Sequence, residues 1–499
     1  MSGGSESAGI SGSIFIIRKP LSTLFVAPDE QCSSGAFLFG KNDVILKNKM
    51  IEENMRKSKG KVIVAMSGGV DSSVAAALLK KQGYDVVGVF MRFWAEPNAR
   101  FAATNTCCSA GAEQAARDVA SKLDIPFYIL RLGKEFKKEV VDHFLRESDA
   151  GRTPNPCVVC NKKIKFGLLF KKALGMGADY IATGHYAKIQ SSVIASPDVS
   201  RGEAIPRQTA VGDIILGLPC RPARCGAPRN DTYTIFKAKD KDKDQSYFLY
   251  ALTQRQLSRV LFPLADYTKE EVYKLAKKWR LSFRRGESFD LCFVARDIES
   301  FLKKYIKMKL GKIVDYNSCH AGLDPVSSLD SRFRGNDKLK DGKILGEHQG
   351  LAFYTIGQRK NIPLNQGPWW VVKKDTRKNI LYVSNDEKDL YSKELAAGNI
   401  NWTSRQAPRL RPSFAKATAG RQGYGGQAKL PQEVLIKIRY KSEASPAVIY
   451  RIATPRFHVG ARNDTVRVIF GKPQRAVTPG QSAVFYSKKG ELLGGGVIQ

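Results

Sequence analysis

The sequence has few cysteines, fewer acidic than basic residues, and no long apolar run. Nine cysteines in 499 residues are too sparse for a small secreted disulfide scaffold, so a reducing, cytoplasmic location is expected. No stretch approaches the roughly 18 consecutive apolar residues of a membrane helix, so no membrane-spanning segment is expected. The 81 basic residues exceed the 47 acidic ones and produce a net charge of +34. Such an excess favours a polyanionic partner, such as RNA, DNA or an acidic membrane.

Short apolar runs alternate with helical patterns in the first half of the chain. "KVIVAM" (61–66) and "YDVVGVFM" (84–91) predict buried strands, and residues 72–83 and 110–125 have the spacing of amphipathic helices. This alternation predicts an α/β fold with a doubly wound parallel sheet. After "PWWVVKKD" (368–375) short strands with turns follow one another, which predicts a small C-terminal β-barrel.

Changes in these patterns divide the chain into four parts. We predict an N-terminal extension over 1–58, a catalytic α/β domain over 59–266, a central mixed domain over 267–365 and a β-barrel domain over 366–499. The extension is expected to be disordered or to precede a later translation start, at Met50 or Met55. Four aperiodic stretches rich in Gly, Pro, Arg and Asn are interpreted as insertions in surface loops, over about 191–231, 317–339, 409–429 and 452–464.

The stretch "SGGVDSS" (67–73) lies between a predicted strand and a predicted helix. Glycines allow a close approach of the backbone, and N–H groups at a helix start point towards an anion. The serines can donate hydroxyl hydrogen bonds, and Asp71 can either hold Mg²⁺ or orient the loop. The G-x-x-x-x-G-K-[ST] pattern of a Walker loop is absent. We therefore predict a phosphate-binding loop of a different type, at the end of a parallel strand.

A second motif, "GRTPNPCVVCNKKIKFG" (151–167), places Cys157 and Cys160 before three lysines. Nearby cations lower the pKa of a thiol and favour the reactive thiolate. A metal or Fe–S site on these cysteines and a third one also stays open. Cys292, in "ESFDLCFV", is alone in its local sequence, and a lone cysteine beside phenylalanine is more often a core residue than a reactive thiol.

Together these motifs resemble those of tRNA-specific 2-thiouridylases, which belong to the N-type ATP pyrophosphatase superfamily. The resemblance covers about residues 60–486, and the phosphate loop alone would indicate only the superfamily. It rests on these strings, which occur in the family's order and approximate spacing: "AMSGGVDSSVAA", "CCSAGAEQAARDVASKLDIPFY", "GRTPNPCVVCNKKIKF", "ATGHYAKI", "KDKDQSYFLYAL", "LCFV", "GEHQGLAFYTIGQRK", "PWWVV", "KIRY" and "AVTPGQSAVFY". The resemblance implies an N-type ATP pyrophosphatase domain, a tRNA-binding central domain and a C-terminal barrel.

The resemblance also implies roles for individual residues. The nucleophilic cysteine of the family corresponds to Cys160 and its persulfide-forming cysteine to Cys292, and these two would form a transient disulfide. The implied ATP-binding residues are Ala65, Met66, Ser67, Gly68, Gly69, Val70, Asp71, Ser72, Met91 and Gly184. The implied contacts with the target base and with tRNA are Asn155, Pro156, Cys157, His185, Lys243, Asp244, Gln245, Arg439, Tyr440 and Gln481.

Some of these assignments have a plain structural alternative. His185 could cap a strand end, Asp244 and Gln245 could begin a helix, and Arg439 could be an ordinary exposed residue at a strand end. Some family members carry Asp where this chain has Cys157, so no role of that carboxylate transfers here. The resemblance assigns no role to the neighbouring Cys107 and Cys108.

The implied activity is adenylation of C2 of the wobble uridine in Lys, Glu and Gln tRNAs, followed by sulfur transfer from a cysteine persulfide. Its cofactors would be ATP and Mg²⁺, and its partners tRNA and a sulfur-carrier protein or cysteine desulfurase, with no membrane. One alternative is a thiolase with an Fe–S cluster on Cys157, Cys160 and Cys292. Others are a different pyrophosphate-loop ligase, such as a tRNA lysidine synthetase or an argininosuccinate-type ligase, and an RNA-binding relic inactivated by its insertions.

Overall fold

The computed structural model describes nine ranges of the chain: 14–16, 58–96, 109–192, 232–283, 291–294, 297–320, 342–404, 433–451 and 465–499. Cys107 and Cys108 lie outside these residues, as do the predicted insertions apart from a few residues at their edges. Within the N-terminal extension before residue 58, the structure describes the strand at 14–16. The prediction of a disordered extension otherwise lies outside the described residues.

The described residues form three sheets. The strands, in chain order, are β1 (Ile14–Ile16), β2 (Lys61–Met66), β3 (Asp85–Arg92), β4 (Phe127–Arg131), β5 (Tyr180–Ala182), β6 (Lys188–Ser192), β7 (Thr232–Phe236), β8 (Val260–Leu261), β9 (Gly311–Asp315), β10 (Ile344–His348), β11 (Trp370–Asp375), β12 (Ile380–Ser384), β13 (Tyr391–Trp402), β14 (Glu433–Lys437), β15 (Ser445–Arg451), β16 (Val466–Arg475), β17 (Ser482–Tyr486) and β18 (Glu491–Ile498).

Helices accompany the first and second sheets. They are α1 (Val70–Lys81), α2 (Ala110–Lys122), α3 (133–149), α4 (156–175), α5 (Gln254–Leu257), α6 (Lys269–Lys278), α7 (Ile298–Tyr305) and α8 (Tyr316–His320). Both α3 and α4 contain a π-helical stretch, at Lys137–Val141 and Asn161–Leu169. Such stretches often mark functional sites, and the one in α4 begins directly after Cys160. Among the described residues, no helix is long and apolar enough to cross a membrane.

The first sheet has the strand order β1-β4-β3-β2-β5-β8. Strands β4, β3, β2, β5 and β8 run parallel, and β1 pairs antiparallel with β4 at the edge. This confirms the predicted doubly wound α/β fold. The first of the parallel strands, β2, lies inside the sheet and is flanked by β3 on one side and β5 on the other. The loops after β2 and β5 therefore meet at a switch point, where ligands of such sheets bind.

The second and third sheets are mainly antiparallel. The second has the order β10-β9-β12-β11, with β12 parallel to β9. The third is a closed barrel in which β13, β16, β15, β14, β17 and β18 follow one another and β18 pairs back with β13. The barrel confirms the predicted all-β C-terminal architecture. However, β11 and β12, which the sequence assigned to the C-terminal domain, pair with the central sheet, so the change of sheet comes after Ser384.

A hairpin from the catalytic part of the chain extends the barrel sheet. Strands β6 and β7 pair with each other, and β7 pairs antiparallel with β18 through Phe236 and Glu491. One continuous core also joins the regions, since Val89 of β3, Val371 of β11 and Val484 of β17 belong to the same buried cluster. The first sheet, the central sheet and the barrel thus share one core.

Candidate nucleotide and sulfur-transfer site

The loop after β2 has the geometry of a tight anion cradle. Gly68 has a φ of 74°, and a Cβ at this position would collide with the carbonyl oxygen of Ala112 at the start of α2. The Ser67 N–H donates to Ser72 Oγ over 3.1 Å, and Ser72 Oγ donates to the Gly69 carbonyl over 3.0 Å. Only glycine combines this backbone conformation with so close an approach. The two conditions explain why the motif needs a glycine at position 68.

Helix α1 begins in this loop, so the backbone N–H groups of its first turn lie there. Gly69 is the N-cap and provides no side-chain cap, so the first-turn N–H groups are not covered by a capping side chain. Such groups, together with the helix dipole, attract phosphate. Four apolar residues among those predicted to bind ATP have buried side chains, namely Ala65, Met66, Val70 and Met91. Their side chains belong to the core, so nucleotide contacts at these positions would come mainly from their backbone atoms.

Asp71 in the first turn of α1 is bound by two other side chains. Lys269 Nζ lies 2.8 Å from both carboxylate oxygens, and the Tyr186 hydroxyl donates to Oδ1 over 2.7 Å. Gly184 packs against the same turn, since a Cβ there would lie 2.8 Å from Asp71 C and from Ser72 N. Of the two roles suggested by the sequence, orientation of the loop therefore fits this geometry. A metal ion on Asp71 does not, because an ammonium already occupies the carboxylate.

The loop of Asn155 leads directly into the helix that carries Cys160. The Asn155 side chain accepts a hydrogen bond from the Val158 N–H over 3.4 Å and caps α4, whose first residue is Pro156. Proline suits this first helical position because its missing N–H is not needed there. Cys157 is exposed, whereas Cys160 lies one turn further on and is buried. The two cysteines of the C-x-x-C motif thus have different environments.

Cys292 packs on the same apolar cluster as Cys160. It is partly buried, and the neighbouring Phe293 ring contacts the rings of Phe136 and Phe144, with centroid distances of 6.0 and 5.5 Å. Both cysteines are thiols in this structure. Among the described residues, which include Cys157, Cys160 and Cys292, no group of three His, Cys, Asp or Glu side chains could hold a metal ion.

Residues 184 and 185 connect the phosphate loop with α4. Gly184 touches the first turn of α1, and the His185 ring lies 5.9 Å from the ring of Phe166 in α4. His185 Nδ1 is 2.6 Å from Thr183 Oγ1. Burial, with a smaller contribution from the charge of Lys165, lowers the pKa of His185 well below its ordinary value. The imidazole is therefore neutral near pH 7 and acts as a hydrogen-bonding group rather than as a cation.

The predicted tRNA-contacting segment 243–245 differs in exposure from residue to residue. Asp244 is buried and accepts hydrogen bonds from Ala238 N, Ser246 N and Ser246 Oγ, and burial raises its pKa. Gln245 exchanges two hydrogen bonds with the backbone of Tyr186, of 2.8 and 3.2 Å. Lys243 is partly exposed. In this conformation Asp244 and Gln245 support the loop around Tyr186, which in turn holds Asp71.

Of the predicted barrel contacts, Gln481 fastens the barrel to the Asn155 loop, whereas Arg439 and Tyr440 contact other parts of the protein. Gln481 Nε2 donates to the Thr153 carbonyl over 2.9 Å, and Arg439 donates to the Ala476 carbonyl over 2.8 Å. Burial lowers the pKa of Arg439. The Tyr440 ring packs against Phe248 with a centroid distance of 4.6 Å. Arg439 and Gln481 thus make hydrogen bonds within the protein, and their tRNA contacts stay predictions.

Sequence reasoning missed several residues of this site. Lys269 stands at the edge of the predicted central domain, yet it binds the phosphate-loop aspartate. Tyr186 directly follows Gly184 and His185, so its place beside two predicted site residues could have identified it. Asn161 follows Cys160, is buried, and donates from Nδ2 to the Phe248 carbonyl over 3.1 Å. Tyr247 is fully buried and donates to the Ser482 carbonyl of the barrel over 2.9 Å.

Three family models match successive parts of the chain. A model described as the tRNA methyl transferase HUP domain matches residues 60–296. Models described as the tRNA methyl transferase PRC-barrel domain and the aminomethyltransferase beta-barrel domain match residues 328–385 and 392–498. The three matches follow the order of the parallel sheet, the central sheet and the closed barrel.

Curated relatives match over nearly the whole of their length. The tRNA-specific 2-thiouridylase MnmA of Halothermothrix orenii is 39% identical over 442 residues, which are 88% of this chain and 99% of the relative. The protein of the same name from Carboxydothermus hydrogenoformans is 38% identical over 448 residues, 88% of this chain and 97% of the relative. The identity and the coverage place the chain plainly: it belongs to the family of tRNA-specific 2-thiouridylases.

Proposed function

We propose that this chain is an ATP-dependent tRNA 2-thiouridylase. The observation that carries the proposal is the link between the phosphate loop and the cysteine helix. Gly184 packs on Asp71 and Ser72 of the loop, while the next residue, His185, packs on Phe166 of α4. A nucleotide bound on the loop and a base held near Cys160 would therefore approach each other across residues 184–185.

ATP first activates a poor electrophile. The C2 oxygen of uracil leaves badly, so its attack on the α-phosphorus of ATP, with loss of pyrophosphate, turns that oxygen into part of AMP, a good leaving group. The first-turn N–H groups of α1 and the Ser67–Gly69 backbone would stabilise the negative charge on the phosphates. Mg²⁺ accompanying ATP would neutralise part of the phosphate charge. Asp71 is bound to Lys269, so its role here is to hold the loop in shape.

Sulfur transfer follows on the two cysteines. A sulfur-carrier protein or cysteine desulfurase would load Cys292 as a persulfide, and its partial exposure suits this exchange. The terminal sulfur attacks C2 and AMP departs with the oxygen. The Cys160 thiolate then attacks Cys292 Sγ, which breaks the S–S bond to the substrate sulfur, leaves 2-thiouridine and forms a Cys160–Cys292 disulfide. In an alternative order, the Cys160 thiolate first attacks Sγ of the Cys292 persulfide and releases hydrosulfide. The hydrosulfide then attacks C2, and the products are the same. An external dithiol reduces the disulfide for the next turnover.

The substrate enters as an anionic RNA. The net charge of +34 favours binding of the tRNA backbone, and the wobble uridine of Lys, Glu and Gln tRNAs must leave its stack to reach Cys160. Asn155, Pro156 and Cys157 stand at the start of α4, where they would contact that base. The barrel holds this loop in place through Gln481.

The direct test is nucleoside mass spectrometry of tRNA from a thiouridine-deficient host that expresses this chain. We expect 2-thiouridine to reappear with the wild-type chain and to be absent with Cys160→Ala and with Cys292→Ala. Cys319→Ala is the matched control, because Cys319 is also a buried cysteine but lies in α8, where its Sγ donates to the Asp315 carbonyl. Soluble wild-type protein without 2-thiouridine, or with methylated uridine instead, would overturn the proposal.

A second measurement separates the persulfide relay from Fe–S chemistry. The protein is purified without oxygen and analysed for iron and acid-labile sulfide. We expect neither at a stoichiometric level, together with 2-thiouridine formation in vitro from ATP and a persulfide donor. Stoichiometric iron that is lost in Cys157→Ala would instead support the cluster on Cys157, Cys160 and Cys292.

A further inference from the structure

Lys269 is held in place by its own helix. Thr268 and Glu271 form a reciprocal capping box at the start of α6, which fixes the backbone around Lys269. The Lys269 N–H donates to Asp240 Oδ2 over 2.8 Å, and the ammonium lies 5.2 Å from the centre of the Tyr273 ring. The Lys269 side chain is only 14% exposed. It therefore cannot swing freely in solvent as most surface lysines do.

The Lys269 ammonium contacts the phosphate loop, which lies far away along the chain. Nζ lies 2.8 Å from each oxygen of Asp71, a bidentate pair on the first turn of α1. The Tyr186 hydroxyl completes the cluster with a hydrogen bond of 2.7 Å to Oδ1. Burial, together with the charge of Asp71, raises the pKa of Tyr186, so Tyr186 stays a neutral donor. Among these three groups, Lys269 is thus the cation that balances the aspartate charge.

The position of Asp71 creates an electrostatic problem for phosphate binding. The cradle of Gly68 and Gly69 attracts anions through N–H groups, whereas Asp71, two residues further on, carries a negative charge and is 32% exposed on its side chain. An unbalanced carboxylate this close would repel the triphosphate, and little solvent screening intervenes at short range. A cation on the carboxylate removes this repulsion, so the backbone N–H groups can bind the triphosphate.

We propose that Lys269 is a positioning residue for ATP: it neutralises Asp71 and thereby lets the loop accept the triphosphate. This role rests on the proposed function, since it deepens the nucleotide step of that reaction. Lys269 acts through Asp71 and not by its own contact with the phosphates. Neutralisation of Asp71 and direct contact with the phosphates predict different ATP affinities for a chain that lacks both charges. If Lys269 acts by neutralisation, its loss has little effect on ATP affinity once the Asp71 charge has been removed.

The test is calorimetric titration of the full chain with Mg²⁺-ATP. We expect Lys269→Met to raise the Kd about tenfold, which corresponds to about 1.4 kcal/mol, and to strengthen its dependence on ionic strength. Lys269→Arg keeps the charge and should stay within about threefold of the wild type. The double variant Asp71→Asn with Lys269→Met should also return to within about threefold, because both charges are gone and an amide still accepts from Tyr186.

Lys274→Met is the matched control, since Lys274 is an exposed lysine on the same helix and its loss changes the net charge equally. An equal loss of affinity in Lys274→Met would reduce the effect to overall charge and overturn the proposal. A double variant as weak as Lys269→Met would show direct phosphate contact and would overturn it too. An unchanged Kd for Mg²⁺-ATP in Lys269→Met would also overturn the proposal.

Two further measurements keep the result interpretable. Asp71→Asn alone removes the carboxylate charge and gives up one contact with Lys269 but keeps an oxygen that accepts from Tyr186, and we expect its Kd to equal or fall below that of the wild type. A rise of tenfold would contradict the charge argument even if Lys269→Met failed to fold. The 2-thiouridine content of tRNA is measured separately, so a chain that shows this binding pattern but forms no 2-thiouridine overturns the proposed function and leaves the role of Lys269 standing.

Discussion

Replacement of Gly68 by alanine should disable the phosphate loop, and the structure supplies a control at the other end of the same helix. Gly68 precedes α1 with a φ of 74°, and Gly83 follows α1 with a φ of 87°. A Cβ at Gly68 would collide with the Ala112 carbonyl, whereas a Cβ at Gly83 would meet nothing within 4 Å. Both substitutions carry the same backbone penalty, and only Gly68→Ala adds a steric conflict.

The expected magnitudes follow from these two contributions. A left-handed conformation costs an alanine about 1–2 kcal/mol, which is the whole expected loss of stability in Gly83→Ala. Overpacking against a backbone that cannot move aside costs roughly 1–3 kcal/mol more. Gly68→Ala should therefore destabilise the protein by about 2–5 kcal/mol, unless α2 and its Ser109 cap shift away from the loop. Such a shift would widen the loop around the phosphates. We therefore expect weaker ATP binding whether or not α2 moves.

The assay is thermal unfolding followed by titration with Mg²⁺-ATP below the transition. Gly83→Ala should lower the midpoint slightly and bind ATP as the wild type does. Gly68→Ala should lower the midpoint further and bind ATP at least tenfold more weakly. Equal midpoints and equal ATP affinities for the two variants would refute the reasoning, because they would mean that the contact of Gly68 with Ala112 has no consequence.

Two further predictions concern the link between the loop and the rest of the site. Because the pKa of folded His185 lies below the unfolded value, the unfolded chain binds the extra proton first, and the native state loses stability as the pH falls through the ordinary histidine range. His185→Gln should therefore lose less stability than the wild type between pH 7 and pH 5 in thermal unfolding, and equal losses would contradict this. Gln481→Ala removes the hydrogen bond to the Thr153 carbonyl and should cost about 1 kcal/mol. It should also reduce 2-thiouridine formation while Mg²⁺-ATP affinity is unchanged, and a parallel loss of both would show that the barrel contact acts on the whole fold.

Local sequence was a good guide to the elements of the first sheet. "KVIVAM" was predicted as a strand and forms β2 over Lys61–Met66, because β-branched residues buried on both faces suit a central parallel strand. The helix predicted over 72–83 begins two residues earlier, at Val70, because Gly69 is already its N-cap. Such shifts at helix ends come from cap geometry, which depends on the conformation of one or two residues.

Strand partners were harder to infer than strands. β11 and β12 look like barrel strands in the sequence but belong to the central sheet, where β12 pairs with β9, and the β6–β7 hairpin pairs with β18 of the barrel. A strand pattern records which side chains are buried, but not which neighbouring strand supplies its hydrogen bonds. The Arg439 and Gln481 hydrogen bonds depend on the same long-range placement.

The sequence by itself determined the chemistry of this protein: a glycine loop that can cradle phosphate, two cysteines in distinct motifs, and a basic chain suited to RNA. These features are local, since the glycines, the thiols and the charges keep their properties wherever the chain places them. The tertiary structure alone decided how they work together. Lys269 and Asp71 are 198 residues apart, and Gln481 and Thr153 are 328 apart. Only the packing of α6 on α1, and of the barrel on the Asn155 loop, brings such side chains within hydrogen-bond distance.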